Sequence, residues 1–304
     1  MLCVPLSAFG SSGEEGPPLS IDPNAAEASI ARPASLDGPP VLLIHGTDSS
    51  TRESWTTNYA PALTAAGYSV FTIDLPNRAV IDIQTSSEYV VYAIRRISGL
   101  TDRPVSLIGH SQGGLEARWA LRWWPDTRVM VDDVISLATP HHGTYIADLD
   151  CVVPCNPAIW QMTVGARFLA ALNAGDETPG PAAYTSIFSV SDELVQPQVP
   201  RSTSAIDGAA NVLIQDVCPA RPVSHVGMLR DPVAFALALD ALAHPGPADP
   251  MRIPPTTCAE VTIPGIGLRA ALDPEILYWA GFMRPSQGLE TDSEPPLRDY
   301  AGGG

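Results

Sequence analysis

Lysine is absent from this chain of 304 residues: all 17 basic side chains are arginine, against 33 acidic ones, for a net charge of −16. An excess of that sign repels a phosphate backbone, which excludes nucleic acid as a partner. The missing lysine itself fits the codon bias of a GC-rich genome, and the acidity gives solubility. Long apolar runs are missing too. With 45% hydrophobic residues the composition is ordinary, and every apolar stretch is broken by Gly, Pro or charge well short of the roughly 18 residues that cross a bilayer. Cysteine is scarce and odd in number, five in all, so at most two internal disulfides can form and one sulfur is left over, Cys3 being the expected orphan. Residues 1–9 carry an apolar patch but no positively charged flank, so they do not make a whole signal peptide and fit the tail of one whose start lies elsewhere. A secreted, extracellular protein is the expectation.

Proline is abundant instead, 31 residues, about twice its usual share. Residues 1–40 form a flexible or surface-wrapped lead-in rich in Gly, Ser, Pro and Glu; 41–245 hold the core; 246–304 form a second Pro-rich extension that packs on it, with a helix at 274–283 and a tail ending in three glycines. No internal repeat occurs. Within the core, β-rich runs at 41–45, 68–73, 105–109, 133–138, 184–190 and 211–217 alternate with segments of three-to-four apolar spacing at 55–66, 87–97, 115–124, 158–173 and 232–243. That alternation predicts an α/β fold with a mostly parallel central sheet and helices on both faces.

The stretch Gly109-His110-Ser111-Gln112-Gly113 lies between the apolar run from Val105 to Ile108 and the helical pattern from Leu115 to Trp124. Strand, sharp turn and helix are the context in which a GxSxG serine stands exposed above a sheet, because the flanking glycines let strand and helix approach closely. A serine hydroxyl is a weak nucleophile, so it needs a histidine to take its proton and a carboxylate to hold that imidazole. The order serine, acid, histidine expected of this arrangement selects Asp192, two residues past the apolar run ending at Val190. Glu193 is the nearest rival, Asp176, Asp207 and Asp216 fall in loops or within a strand, and Asp192 could instead cap a helix. His225 follows the last strand and precedes a helix; His45, His110, His141, His142 and His244 do not meet both conditions. For the oxyanion of an acyl-transfer step, the backbone N–H of Gln112 and that of Thr47, in His45-Gly46-Thr47, are the expected donors, with the Thr47 hydroxyl as a further candidate. His141 and His142 beside Asp148 and Asp150 match no zinc spacing and are expected to line or flank the cleft, and no metal is expected.

Ser111-Gln112-Gly113-Gly114-Leu115, Ala158-Ile159-Trp160-Gln161, the block from Asp192 to Val199, and Val217-Cys218 ahead of His225 together resemble the Candida antarctica lipase B-like family of α/β-hydrolases, from about Pro40 to Thr257. The resemblance implies an α/β-hydrolase fold with a short lid region at about 143–175, a Ser111–Asp192–His225 triad, an oxyanion hole from Thr47 and Gln112, and a Cys218–Cys258 disulfide. It implies a lipase or carboxylesterase acting on neutral acyl esters, triacylglycerols or smaller, without metal or organic cofactor. A monomer, with transient contact to a lipid interface, is the expectation for partners. Two departures stand out. His110 replaces a tryptophan that shapes the family's alcohol pocket, and Cys151 and Cys155 fall in the lid, where a bridge would stiffen it. The same triad would serve an acyltransferase or a polyester hydrolase, and a non-catalytic binding module that kept the fold is the alternative of a different class.

Overall fold

The computed structural model describes residues 15–270, 272, 276 and 288–302. The helix expected at 274–283 falls outside them, save for Ile276, as does Cys3. Strands β1 (Ile30–Ala31), β2 (Pro40–Ile44), β3 (Ser69–Ile73), β4 (Val105–His110), β5 (Val131–Leu137), β6 (Ala183–Phe188) and β7 (Ala210–Leu213) form one sheet in the order β1-β3-β2-β4-β5-β6-β7. Every pairing is parallel except the edge pair β1 and β3. The helices are α1 (Pro23–Ala28), α2 (Thr51–Ser54), α3 (Tyr59–Ala65), α4 (Ile83–Thr101), α5 (Gly113–Trp123), α6 (Tyr145–Asp150), α7 (Pro157–Gln161), α8 (Arg167–Leu172), α9 (Ile214–Val217) and α10 (Pro232–Ala243).

β2 is buried along its whole length because both faces of the sheet are covered, which is why Val41-Leu42-Leu43-Ile44 is a continuous apolar run rather than an alternating one. Leu42 and Ile44 pack with the apolar stripes of α4 and α5, whereas Val41 and Leu43 pack with Trp55, Tyr59 and the α10 residues Val233, Ala234 and Leu237. α4 starts where Asp82 accepts the Gln84 N–H and ends at the left-handed Asp102. α10 starts where Asp231 accepts the N–H groups of Val233 and Ala234, with a proline at its first position.

Several element boundaries differ from the periodicity. The segment expected as one helix over 158–173 is two, α7 and α8, separated by a turn in which Gly165 has φ 82°. Within the 55–66 segment only α3 is helical; residues 55–58 form a turn between it and the short α2 that precedes the segment. The last expected strand turns helical after Leu213. The lead-in carries α1 and β1, whose Ile30 and Ala31 pair with Ile73 and Thr72, a contact no local pattern reveals. At the other end of the chain Tyr300 sits against Trp119, Trp123 and Trp124, and accepts a hydrogen bond from the Trp119 indole at 3.2 Å.

Candidate active site

Register brings the strand ends level. Ile44 of β2 lies opposite Gly109 of β4, His110 opposite Leu137 of β5, and Leu137 opposite Ile187 of β6. The segments that leave these strands therefore meet at the carboxyl edge of the sheet, where open parallel sheets place their sites. Ser111 leaves β4 with φ 55°, a left-handed conformation that costs a non-glycine residue about 1–2 kcal/mol. Its N–H donates to Leu137 O at 2.8 Å, so the strained residue is held by β5, and α5 begins two residues on. Close approach explains the glycines: a Cβ on Gly109 would lie 2.4 Å from Gly114 N, and one on Gly113 2.4 Å from Ile44 O. A Cβ on Gly46 would lie 2.8 Å from Ser111 Cβ and 3.4 Å from its Oγ, which puts the loop after β2 against the serine.

Asp192 follows β6 and is 1% exposed. Its Oδ2 accepts from His225 Nδ1 at 2.9 Å, while Oδ1 accepts the N–H groups of Leu194 and Val195 at 2.9 and 2.8 Å. No helix starts at Asp192, so it caps none; the two amide hydrogen bonds, made within a bend, fix the carboxylate that holds the imidazole. Glu193, the rival acid, instead accepts the backbone N–H of His225 at 3.0 Å. Burial pulls the His225 pKa down, but the charge and hydrogen bond of Asp192, with the charge of Glu193, outweigh it and leave the pKa raised.

Gln112 and Thr47 meet as well. The Thr47 hydroxyl donates to Gln112 Oε1 at 2.5 Å. Gln112 precedes the first helical residue of α5, and the leading N–H groups of a helix have no intrahelical acceptor. The Thr47 loop is braced by the buried His45, whose Nδ1–H donates to Gly46 O at 2.8 Å and whose Nε2 accepts the Leu75 N–H at 3.0 Å.

Ser111, His225 and Thr47 line one cavity of about 120 Å³, walled mainly by Ile146, Ala147, Ile159, Met162, Leu194 and Val195, with Asp150 as its carboxylate. The cover over this space comes from α6, α7 and the turn after it. The Cys151–Cys155 disulfide closes the end of α6, Cys155 forms a two-way backbone bridge with Thr291, and Trp160 Nε1 donates to Thr291 O at 2.9 Å. A second disulfide joins Cys218 to Cys258.

The remaining histidines take structural places. His110 is fully buried, donates from Nε2 to the His225 carbonyl at 3.1 Å, and leaves Nδ1 without a partner. Burial, with the neighbouring His225, pushes its pKa down to about 3, so the ring is neutral. It does not reach the cavity wall. His141 and His142 do not line the cavity; Pro140 just before them does, so the two histidines flank it in sequence. His141 is buried between Ser136 Oγ and the Arg118 guanidinium, and His142 pairs with Glu177. One group behind the site escaped sequence reasoning. Glu116 of α5 is fully buried, its Oε1 accepts from Gln112 Nε2 at 2.7 Å, and burial pushes its pKa up to about 8 against that hydrogen bond. The available signal was an acidic residue at an inward position among Leu115, Ala117 and Ala120.

Residues 41–297 match the model of the alpha/beta hydrolase family. Lipase B of Pseudozyma antarctica is 34% identical over 219 residues, 70% of this chain and 64% of that protein, so the chain spans just under two thirds of the length of this relative. The crystal structure of Aspergillus fumigatus lipase B superposes with a TM-score of 0.89 and 32% identity, covering 97% of this chain and 75% of that one. The mature form of Bacillus licheniformis lipase BlEst2 shares the fold at a TM-score of 0.52 and 19% identity, over 66% of this chain and 92% of its own.

Gly113→Ala decides whether close approach or helix propensity governs the turn. Propensity alone would favour alanine by about 1 kcal/mol, whereas overpacking against Ile44 O costs about 1–3 kcal/mol. Urea denaturation should show a net loss of stability; a stabilised variant would contradict the contact.

Proposed function

Because this chain belongs to the alpha/beta hydrolase family, we propose that it is a secreted serine lipase or carboxylesterase for neutral acyl esters, with Ser111 as nucleophile, His225 as base and acid, and Asp192 as the group that orients it. The observation that carries this reading is the buried Asp192–His225 pair, whose imidazole lines the same cavity as Ser111. Two disulfides fit an oxidising compartment outside the cell.

With Nδ1–H committed to Asp192, the neutral imidazole keeps its Nε2 lone pair for the serine proton. Ser111 Oγ bonds to the ester carbonyl carbon as its proton passes to His225, and the carbonyl oxygen becomes an oxyanion. The backbone N–H groups of Gln112 and Thr47 are the donors for that charge. Collapse breaks the bond to the alcohol oxygen, which leaves with the proton from His225. Water then repeats the sequence on the acyl-enzyme, releases the acid and restores Ser111. An apolar cavity suits an uncharged acyl chain, and Asp150 on its wall disfavours an anionic one. No step calls on a metal or an organic cofactor.

Ser111→Ala removes the nucleophile and should abolish hydrolysis of p-nitrophenyl esters while leaving thermal unfolding nearly unchanged; turnover at the original rate would refute the assignment. The pH profile tests the base. His225 must be neutral to act, and its pKa is raised above the ordinary 6.5, so kcat/KM should climb through an apparent pKa above that value. The sign follows from which form Asp192 favours: it stabilises the protonated ring, and activity appears only as that form is lost. In Asp192→Asn burial acts without the carboxylate, so the acid limb should move to lower pH while the rate drops roughly 10³–10⁴-fold. A limb that stays in place would show that Asp192 does not set the titration.

A further inference from the structure

Glu116 is not needed for any step above, and its position is costly. It lies one turn beyond Gln112 on α5, with no solvent exposure, where Leu115, Ala117 and Ala120 pack into the core. Its Oε2 is buried with no hydrogen-bond partner. An apolar side chain would be the default there, because a buried oxygen left unpaired destabilises the fold.

We propose that Glu116 is a positioning residue that, through the Gln112 carboxamide, holds the Thr47 loop in register with Ser111. The inference rests on the reading of Ser111 as nucleophile and of Thr47 and Gln112 as oxyanion donors. The two protons of Gln112 Nε2 have two acceptors, Ala79 O at 2.9 Å and Glu116 Oε1 at 2.7 Å. With both committed, Oε1 of the carboxamide can only face Thr47, and the Thr47 hydroxyl donates to it at 2.5 Å. A flipped amide would turn its oxygen against the Ala79 carbonyl, which can only accept, so Ala79 sets the orientation and Glu116 Oε1 takes the second proton. The result is a rigid link from α5 to the loop after β2, across 65 residues of sequence, made between the two residues proposed above as oxyanion donors. Without the acceptor on Glu116 the carboxamide keeps one anchor and can rotate, and Thr47 loses its fixed partner.

The protonation state suits the task. Burial pushes the Glu116 pKa up to about 8, so near neutral pH the side chain is an uncharged acid that accepts a hydrogen bond without setting a negative charge behind the developing oxyanion. Glutamine is its isostere in that state.

The test combines ester kinetics, affinity for a boronic acid that forms a tetrahedral adduct on serine, and thermal unfolding, for Glu116→Gln and Glu116→Met. In E116M, kcat should fall roughly tenfold, as expected of donors displaced by a fraction of an ångström. KM should hold, the boronic acid should bind weaker by the same factor, and Tm should shift little, because the unpaired Oε2 is removed while one buried Gln112 N–H loses its acceptor. E116Q should retain kcat and boronate affinity. Glu116→Ala, smaller in every dimension, replaces the methionine variant if that one does not fold. Wild-type kcat and boronate affinity in the truncated variant would overturn the proposal, and so would an equal loss in E116Q. Should Ser111→Ala be inactive while E116M behaves as wild type, this inference alone fails; an active Ser111→Ala removes the reading beneath it.

Discussion

A single left-handed residue sets the geometry of the site. Ser111 can adopt φ 55° only because β2, β4 and α5 close to backbone contact around it, and they can do so only without side chains at positions 109 and 113. The strain is held by the Ser111 N–H bond to β5 and by two sheet-deep apolar layers, so the fold supplies the free energy that the turn stores. That turn aims the hydroxyl at the cavity, exposes the first amides of α5 and brings Gly46 and Thr47 alongside. Neighbouring strands then deliver the other parts by register: the loop after β6 brings Asp192, and the chain beyond β7 and α9 brings His225.

Electrostatics divides the buried titratable groups by partner. His225 has a carboxylate against its Nδ1 and keeps a raised pKa despite burial, whereas His110, Nε2-bonded to a carbonyl and close to that same His225, is pushed down to about 3. Glu116 has an amide for a partner and becomes an uncharged acid. Only one of the three can carry a proton in and out near neutral pH while facing the cavity. Around that cavity the cover is tied down from two directions, by the Cys151–Cys155 bridge within it and by Thr291 from the far end of the chain.

Much of this was legible because it is local chemistry or chain order. The GxSxG turn declares itself through glycines that only close backbone packing requires. Asp192 and His225 follow from where they stand after strands, and the parallel sheet from alternating apolar runs. Long-range pairing was not legible. Nothing near Ile30 announces Ile73, and nothing near Cys155 announces Thr291. The break between α7 and α8 hid behind continuous apolar spacing, which Gly165 interrupts with a positive φ. His110 looked like a pocket residue by family position but turns inward to the His225 carbonyl, since a smaller polar ring finds an acceptor there. Glu116 was silent because a carboxylate on a helix reads as solvent-facing until packing shows which side of α5 it occupies.

The central claim is that Ser111 alone is activated among the chain's hydroxyls. Incubation with an organophosphonate ester followed by peptide mass mapping measures this directly. The account predicts one adduct per chain, on the peptide containing Ser111, formed in step with loss of esterase activity. A stoichiometric adduct on another serine, or full inactivation with Ser111 unmodified, would contradict it.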